Sequence, residues 1–343
     1  MTDAICKELS MRSAELKYQS IETIYFGGGT PSVLNEAQLT KILDTIYKHY
    51  QVTPTCEITI EINPDDVTEV LVKSWINNSI NRISIGVQSF DETSLKWMNR
   101  SHTAKQSVLS IYTLAELGFE NISMDLIYGL PGLSIQSWQL TLRKVVGLPI
   151  QHVSAYCLTV EPKTALQHFV STSHIVLPSD DTTEQQFQFM SKYFTEAGFI
   201  HYEISNFGLP GYHSKHNSSY WKGLPYIGVG PSAHSYDGLN DRRWNIASNQ
   251  SYLKFIGLNK QYWEEEKLSE KEKYNEFIMT GLRTIWGCDL SKLSNEQLIL
   301  FEKQRKNFLK HLKNGNITNE NNVVKLTDKG RFFADGIAAD LFA

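Results

Sequence analysis

Two periodicities alternate along the chain. Short β-prone apolar runs recur at 21–26, 56–64, 81–90, 121–132 and 152–162. Between them, apolar residues fall at helical spacing over 35–50, 66–78, 91–98, 104–118 and 134–147. Alternation residue by residue marks a strand, and a repeat of three to four marks an amphipathic helix. Gly118 sits where a helix C-cap is expected. A helix over 3–18, with Ile5, Leu9 and Leu16 on one face, precedes the first run. Strand and helix repeat at intervals of roughly 30 residues, which predicts parallel βα units. An open doubly wound sheet and a barrel both satisfy that pattern.

The first unit is the most distinctive. IETIYFGGGTPS (21–32) is a strand, a turn of three glycines and the start of a helix. Bare backbone at a strand's carboxyl end lets a ligand approach closely. Later units place polar groups at equivalent ends: Thr30, Glu61 before Asn63-Pro64, Gln88 before Ser89, and Asp125 somewhat earlier on its run. In both closures ligands meet that rim. For any one of these residues a turn or cap role is the simpler account; for the set, a ligand site is. Buried carboxylates need donors, so Glu61 and Asp125 are expected to face a ligand amine or hydroxyls.

Farther along, 163–184 reads as irregular, with a loop at 178–181, then a helix over 182–197 ending at Gly198. A strand is expected over 201–208. Residues 211–236 are rich in aromatics and histidine, with His213, His216 and His234 following His201. The HxxH spacing of His213 and His216 suits zinc, yet no cysteine or acid lies near. An imidazole among Tyr and Trp also suits haem iron. Spacing alone favours histidines that hydrogen-bond loop backbone. From 268 onward, helical patterns at 270–285 and 295–313, a strand at 323–326 and a helix at 327–342 suggest a small helical or winged-helix module. It has no dense basic face, so packing or a lid is its expected role.

Composition narrows the classes. The 343 residues are 41% apolar and 20% charged, which is globular. A net charge of −4 speaks against a nucleic-acid footprint. No run of about 18 apolar residues exists, so no membrane span is expected. The first residues lack a signal-peptide core, and a cytoplasmic location is expected. Cys6, Cys56, Cys157 and Cys288 form no CxxC group and are expected to be buried free thiols.

In order, YFGGGTPSVL, EINPDD, RISIGVQSFD, NRSH, MDLIYGLPG, SAYCLTVEP, YEISNF, HNSSYW and TDKGRFFADGIAADLF run over nearly the whole chain. With them the chain resembles the radical S-adenosylmethionine proteins related to oxygen-independent coproporphyrinogen III oxidase, and among these the HemW-type haem chaperones. The resemblance implies an α/β fold: a partial TIM-like (βα)6-type barrel lacking its first strand, plus a small C-terminal helical or winged-helix-like domain. The implied divisions are a barrel over 1–205, a connecting segment over 206–267 and the C-terminal domain over 268–343.

The resemblance also implies sites. Gly28 and Glu61 match positions that meet S-adenosylmethionine, and Gly29, Thr30, Gln88, Arg100 and Asp125 match positions assigned to a second such molecule. HNSSYW matches an HNxxYW motif, which makes His216 the expected haem ligand. If that segment turns back on itself, Tyr220 and Trp221 flank the porphyrin. The implied activity is haem binding and delivery to haem proteins, respiratory ones included. The alternatives are radical decarboxylation of coproporphyrinogen III and a cluster-free haem-binding protein. The family's CxxxCxxC motif, which holds a [4Fe–4S] cluster, does not occur here. The chain as given is therefore expected not to ligate the cluster. A missing first strand would leave the next strand's edge unpaired, and a mis-assigned start or a truncated gene would account for both losses.

Overall fold

A computed structural model describes residues 1–16 and 19–343. The helix expected over 3–18 ends at Met11, residues 12–16 are turn, and Lys17 and Tyr18 lie outside the described residues. In chain order the first elements are α1 (Thr2–Met11), β1 (Ile21–Phe26), α2 (Glu36–His49), β2 (Val52–Ile62), α3 (Glu69–Asn77) and β3 (Arg82–Gln88). Next come α4 (Glu92–Trp97), α5 (Ala104–Glu116), β4 (Ile122–Tyr128), α6 (Ile135–Val146) and β5 (His152–Cys157). Then follow α7 (Ala165–Ser171), α8 (Asp180–Glu196), β6 (Ile200–Glu203), β7 (Asn206–Gly208), α9 (Lys215–Trp221), β8 (His234–Tyr236), β9 (Asp241–Asn245) and α10 (Asn249–Gly257). The last are β10 (Trp263–Lys267), α11 (Glu270–Leu282), β11 (Cys288–Asp289), α12 (Asn295–Lys303), α13 (Arg305–Lys313), β12 (Ile317–Glu320), β13 (Val323–Leu326), α14 (Asp328–Arg331) and α15 (Ala334–Asp340). The chain forms two compact units: residues 24–35 with 57–214, and residues 1–23 with 36–56 and 215–343.

The first of these units is built on a curled sheet of order β1-β2-β3-β4-β5-β7-β6. From β2 to β5 neighbouring strands are parallel. From β1 to β5 spatial order follows chain order, with no switch point as in a doubly wound sheet, so the partial-barrel closure is the one adopted. Alternation decides the faces. Ile58, Ile60, Ile83, Ile85, Met124, Leu126, Val153 and Ala155 are all but fully buried on one face. Trp75 of α3 and Trp138 of α6 are likewise buried. Trp138 Nε1 donates to Gln186 O at 3.0 Å, while the buried Gln186 amide bridges Gly129 N–H and Leu133 O. The other face carries the polar partners of the alternation: Thr59 and Glu61, Arg82 and Ser84, Ser123 and Asp125, His152 and Ser154.

Two expectations change in this unit. Residues 201–208 are not one strand but a hairpin, with His201 opposite Phe207. The turn is fixed by Glu203 Oε2, which accepts from Ser205 N–H at 3.0 Å and from the Asn206 amide. The irregular stretch after β5 contains α7, capped by the Thr164 hydroxyl.

In the other unit α1 packs on α2 and α10. Ala4 joins Tyr252, Ile256 and Tyr262 in a small core. Glu8 is wholly buried there and fully served: Arg12 Nη1 at 3.1 Å, Asn245 Nδ2 at 2.8 Å, Tyr252 OH at 2.6 Å and Gly230 N–H at 2.9 Å. A buried carboxylate is tolerated only with such a full complement. Within the segment over 206–267, residues 234–267 contribute the antiparallel sheet β10-β9-β8. Its strands escaped the apolar alternation because their pairing is charged, Glu265 opposite Arg243 and Glu266 opposite Arg242.

The C-terminal part runs helix, strand, two helices, hairpin, the order of a winged helix, with a sheet β11-β13-β12. Its core gathers Tyr274, Ile278, Phe301, Phe308, Val324 and Ile337. The helix expected over 295–313 divides at Gln304, and that over 327–342 at Phe332-Phe333. Among the described residues no helix is long and apolar enough to cross a membrane.

Candidate functional site

At the carboxyl end of β1 the chain turns through Gly27–Gly29. Gly28 has φ 76° and Gly29 φ 66°, the left-handed region that glycine enters freely. At Gly27 the constraint is space: a Cβ there would stand 2.5 Å from Tyr25 Cε1 and 3.0 Å from Glu61 Oε1. Those two side chains form the floor of the turn. Tyr25 OH donates to Glu61 Oε1 at 2.7 Å, and Gly28 N–H donates to Glu61 Oε2 at 3.1 Å. Burial, followed by the Glu61 charge, pushes the Tyr25 phenol well above its ordinary range. Gly27→Ala is expected to break this floor and cost about 1–3 kcal/mol, read as a lowered denaturant midpoint.

The donors expected for Glu61 are thus supplied by the chain itself. The same holds for Asp125, midway along β4. It lies across from Ser154 on β5, and the Ser154 and Ser84 hydroxyls favour its ionised form. Burial pushes its carboxyl up to about 7, Glu61 adds to the rise, and the Arg82 guanidinium opposes it. Tyr25, Arg82, Ser84 and Ser154 were missed from sequence. Their signal was present as the polar half of the strand alternation.

The remaining rim residues are placed less uniformly. Gln88 ends β3 at φ 66°, just past a register shift against β4. Such strain in a residue other than glycine clusters at functional sites. Thr30 is exposed and opens the short turn at 31–33 through its carbonyl. Arg100 lies in the turn after α4; its N–H bonds Leu95 O, and among the described residues its guanidinium makes no hydrogen bond or ion pair. The structure therefore groups Gly28, Glu61 and Asp125 and adds Tyr25 to them.

HNSSYW does not turn back on itself. It forms α9, so His216 and Tyr220, four apart, share a helix face. Trp221, five residues on, is rotated about 140° from His216 and lies under the Arg283 guanidinium at 5.4 Å. The two rings expected beside His216 are thus separated: Tyr220 shares its helix face and Trp221 does not. The His216 ring meets Tyr220 edge-on at 4.9 Å, and Tyr220 meets Tyr226 edge-on at 4.6 Å. Both imidazole nitrogens are engaged: Nδ1 with Thr23 Oγ1 at 2.9 Å, Nε2 with Tyr220 OH at 3.0 Å. Burial pushes the Tyr220 phenol up to about 12, although the residue is 39% exposed.

The other histidines have packing roles. His201 lies on Phe207 at 4.0 Å and hydrogen-bonds Ser191 and Ile204 O. His213 stacks on Tyr202 at 4.2 Å, and His234 on Trp244 at 6.0 Å. His152 was missed. It is buried between Ser123 Oγ and Tyr202 OH, and burial holds its imidazole well below the ordinary range.

Residues 7–145 match the radical SAM superfamily model, and residues 268–333 match the HemN C-terminal domain. A Lactococcus lactis protein named heme chaperone HemW is 35% identical over 330 residues, spanning 96% of this chain and 86% of its own length. A Bacillus subtilis protein of the same name is 30% identical over 338 residues, spanning 98% and 89%. The solved structure of coproporphyrinogen III oxidase (HemN) from Escherichia coli, a radical SAM enzyme, superposes with TM-score 0.81 over 99% of this chain and 82% of that one. At 22% identity it shows the same fold.

The superfamily implies an iron–sulfur cluster and S-adenosylmethionine. The described thiols do not fit the cluster. Cys6 Sγ lies against Lys41 O in a helix contact, Cys157 against its neighbour Leu158 O, and Cys288 against Phe277 O and Ile278 O. Among the described residues no three Cys, His, Asp or Glu side chains gather to hold a metal. The glycine turn does suit a small ligand: a Cβ built at Gly28 or Gly29 would meet nothing within 4 Å, so the backbone there is open.

Proposed function

The chain belongs to the heme chaperone HemW family, and from that premise we propose that it binds haem through α9 and hands it to haem proteins. The observation that carries this reading is His216. It is half-buried on the short helix α9, with one ring nitrogen anchored to Thr23 and the other directed at the half-exposed Tyr220. Haem asks for an imidazole nitrogen facing outward and flat apolar surface beside it. Nε2 and the Tyr220–Tyr226 pair supply both. Haem titration of the purified chain, followed by its Soret band, tests the proposal. A saturable one-to-one complex is expected, and its absence overturns the reading, as would turnover of coproporphyrinogen III without a haem complex.

The second part of the proposal concerns the rim. Gly28, Gly29, Thr30, Glu61, Gln88 and Asp125 would receive S-adenosylmethionine, with Arg100 reaching it from its own turn. The ligand's amino group and sulfonium carry positive charge, and Glu61 and Asp125 are the acceptors facing that space. The backbone at Gly28 and Gly29 leaves room for the methionine end. Glu61→Gln leaves one oxygen to accept where two accepted: with that oxygen on Gly28 N–H, the amide nitrogen must donate to the Tyr25 oxygen and reverse that bond. It also removes the charge. Affinity for S-adenosylmethionine is expected to fall about tenfold or more, ~1.4 kcal/mol, by calorimetric titration. An unchanged dissociation constant would remove Glu61 from the site.

A further inference from the structure

Helix α9 does not hold His216 alone. On one side Thr23 of β1 meets Nδ1 at 2.9 Å in a part-buried contact. On the other, Tyr220 OH covers Nε2 at 3.0 Å in an exposed one. These three side chains, from positions 23, 216 and 220, make a single line of hydrogen bonds running from the strand to the surface.

We propose that Thr23 is the positioning residue of the haem ligand and that Tyr220 is its displaceable cap. The inference rests on the reading of His216 as the axial ligand. An iron-binding imidazole offers a lone pair at one nitrogen and keeps its proton on the other. The exposed atom is Nε2, so the proton belongs on Nδ1, where Nδ1–H donates to Thr23 Oγ1. Tyr220 O–H then donates to Nε2. When haem arrives, the Tyr220–Nε2 hydrogen bond breaks and the iron–Nε2 bond forms. The phenol keeps its proton, and Nδ1 keeps its own. Thr23 acts at a distance from the metal: it fixes the ring's tautomer and rotation and raises the basicity of Nε2. Tyr220 keeps the nitrogen covered and hydrated groups satisfied while no haem is bound.

Four variants of the full chain separate the parts: Thr23→Val, Thr23→Ser, Tyr220→Phe and His216→Ala. Valine keeps the branched shape a strand accommodates, and thermal melts check that each variant folds. Haem affinity is expected to drop roughly 10–100-fold in Thr23→Val and to recover in Thr23→Ser. The iron–imidazole stretching band of the ferrous complex, seen by resonance Raman, is expected to move to lower frequency in Thr23→Val and return in Thr23→Ser. A purely structural threonine would not move that band. Tyr220→Phe is expected to speed haem association by about fivefold, the worth of one ordinary hydrogen bond. Loss of the complex in Tyr220→Phe would instead make the phenol a ligand and overturn the cap. Wild-type affinity and band position in Thr23→Val, with binding lost in His216→Ala, would overturn the positioning role alone. Wild-type binding in His216→Ala would overturn the ligand reading beneath it.

Discussion

His216→Ala is expected to abolish the Soret shift on haem titration, with affinity falling more than about 100-fold, ~2.7 kcal/mol. No neighbour replaces the lost nitrogen. His213, the other member of the HxxH pair, lies flat on Tyr202, and freeing it would forfeit that stack. His213→Ala should therefore leave the haem spectrum in place and lower thermal stability instead. Trp221→Phe should keep most binding, because Trp221 faces Arg283 rather than the His216 side of α9. Retention of the Soret shift in His216→Ala together with its loss in His213→Ala would transfer the ligand role.

Asp125→Asn is expected to have the largest effect on stability. The carboxyl titrates near 7 in the folded chain and near 3.9 when unfolded. Between those values the folded state holds a proton that the unfolded state has released. Stability contributed by Asp125 is therefore full below about pH 4 and falls as pH rises toward 7, at up to ~1.4 kcal/mol per unit. Over that interval the upper bound is roughly 4 kcal/mol. Asparagine keeps the shape and has no proton to lose. Denaturant melts should show Asp125→Asn equal to wild type at pH 4 and more stable at pH 8. A gap that is the same at both pH values would show that desolvation of Asp125 is not the cause. A cationic ligand beside Asp125 would stabilise the ionised form, so binding near pH 6 should release a proton, visible as a buffer-dependent calorimetric heat.

The parallel units were legible because each strand buries an unbroken apolar alternate set, such as Ile83 with Ile85 and Met124 with Leu126. The rim was legible because glycines and polar residues end those strands. What escaped was relational. Tyr25 and Ser154 looked like ordinary strand residues, and only register shows them serving Glu61 and Asp125. Thr23 gives no hint of a partner 193 residues away. The turn of the 200–208 hairpin has no glycine or proline, so its two short strands read as one. The β8–β10 sheet pairs Arg with Glu rather than apolar with apolar, so no apolar alternation marks its strands.

The buried Glu8 cluster imposes an order on synthesis. Its carboxylate is satisfied by Asn245 and by Tyr252, the latter 244 residues downstream. A ribosome adding ~5–20 residues per second needs roughly 10–50 s to make that stretch. Throughout that time α1 has emerged while the residues that cover Ala4 and Glu8 do not yet exist. The unit built from residues 24–35 and 57–214 has its whole sequence available first. The nascent chain thus has the strands of its parallel sheet, and α2 to pack on α1, before Gly230, Asn245 and Tyr252 exist to satisfy Glu8.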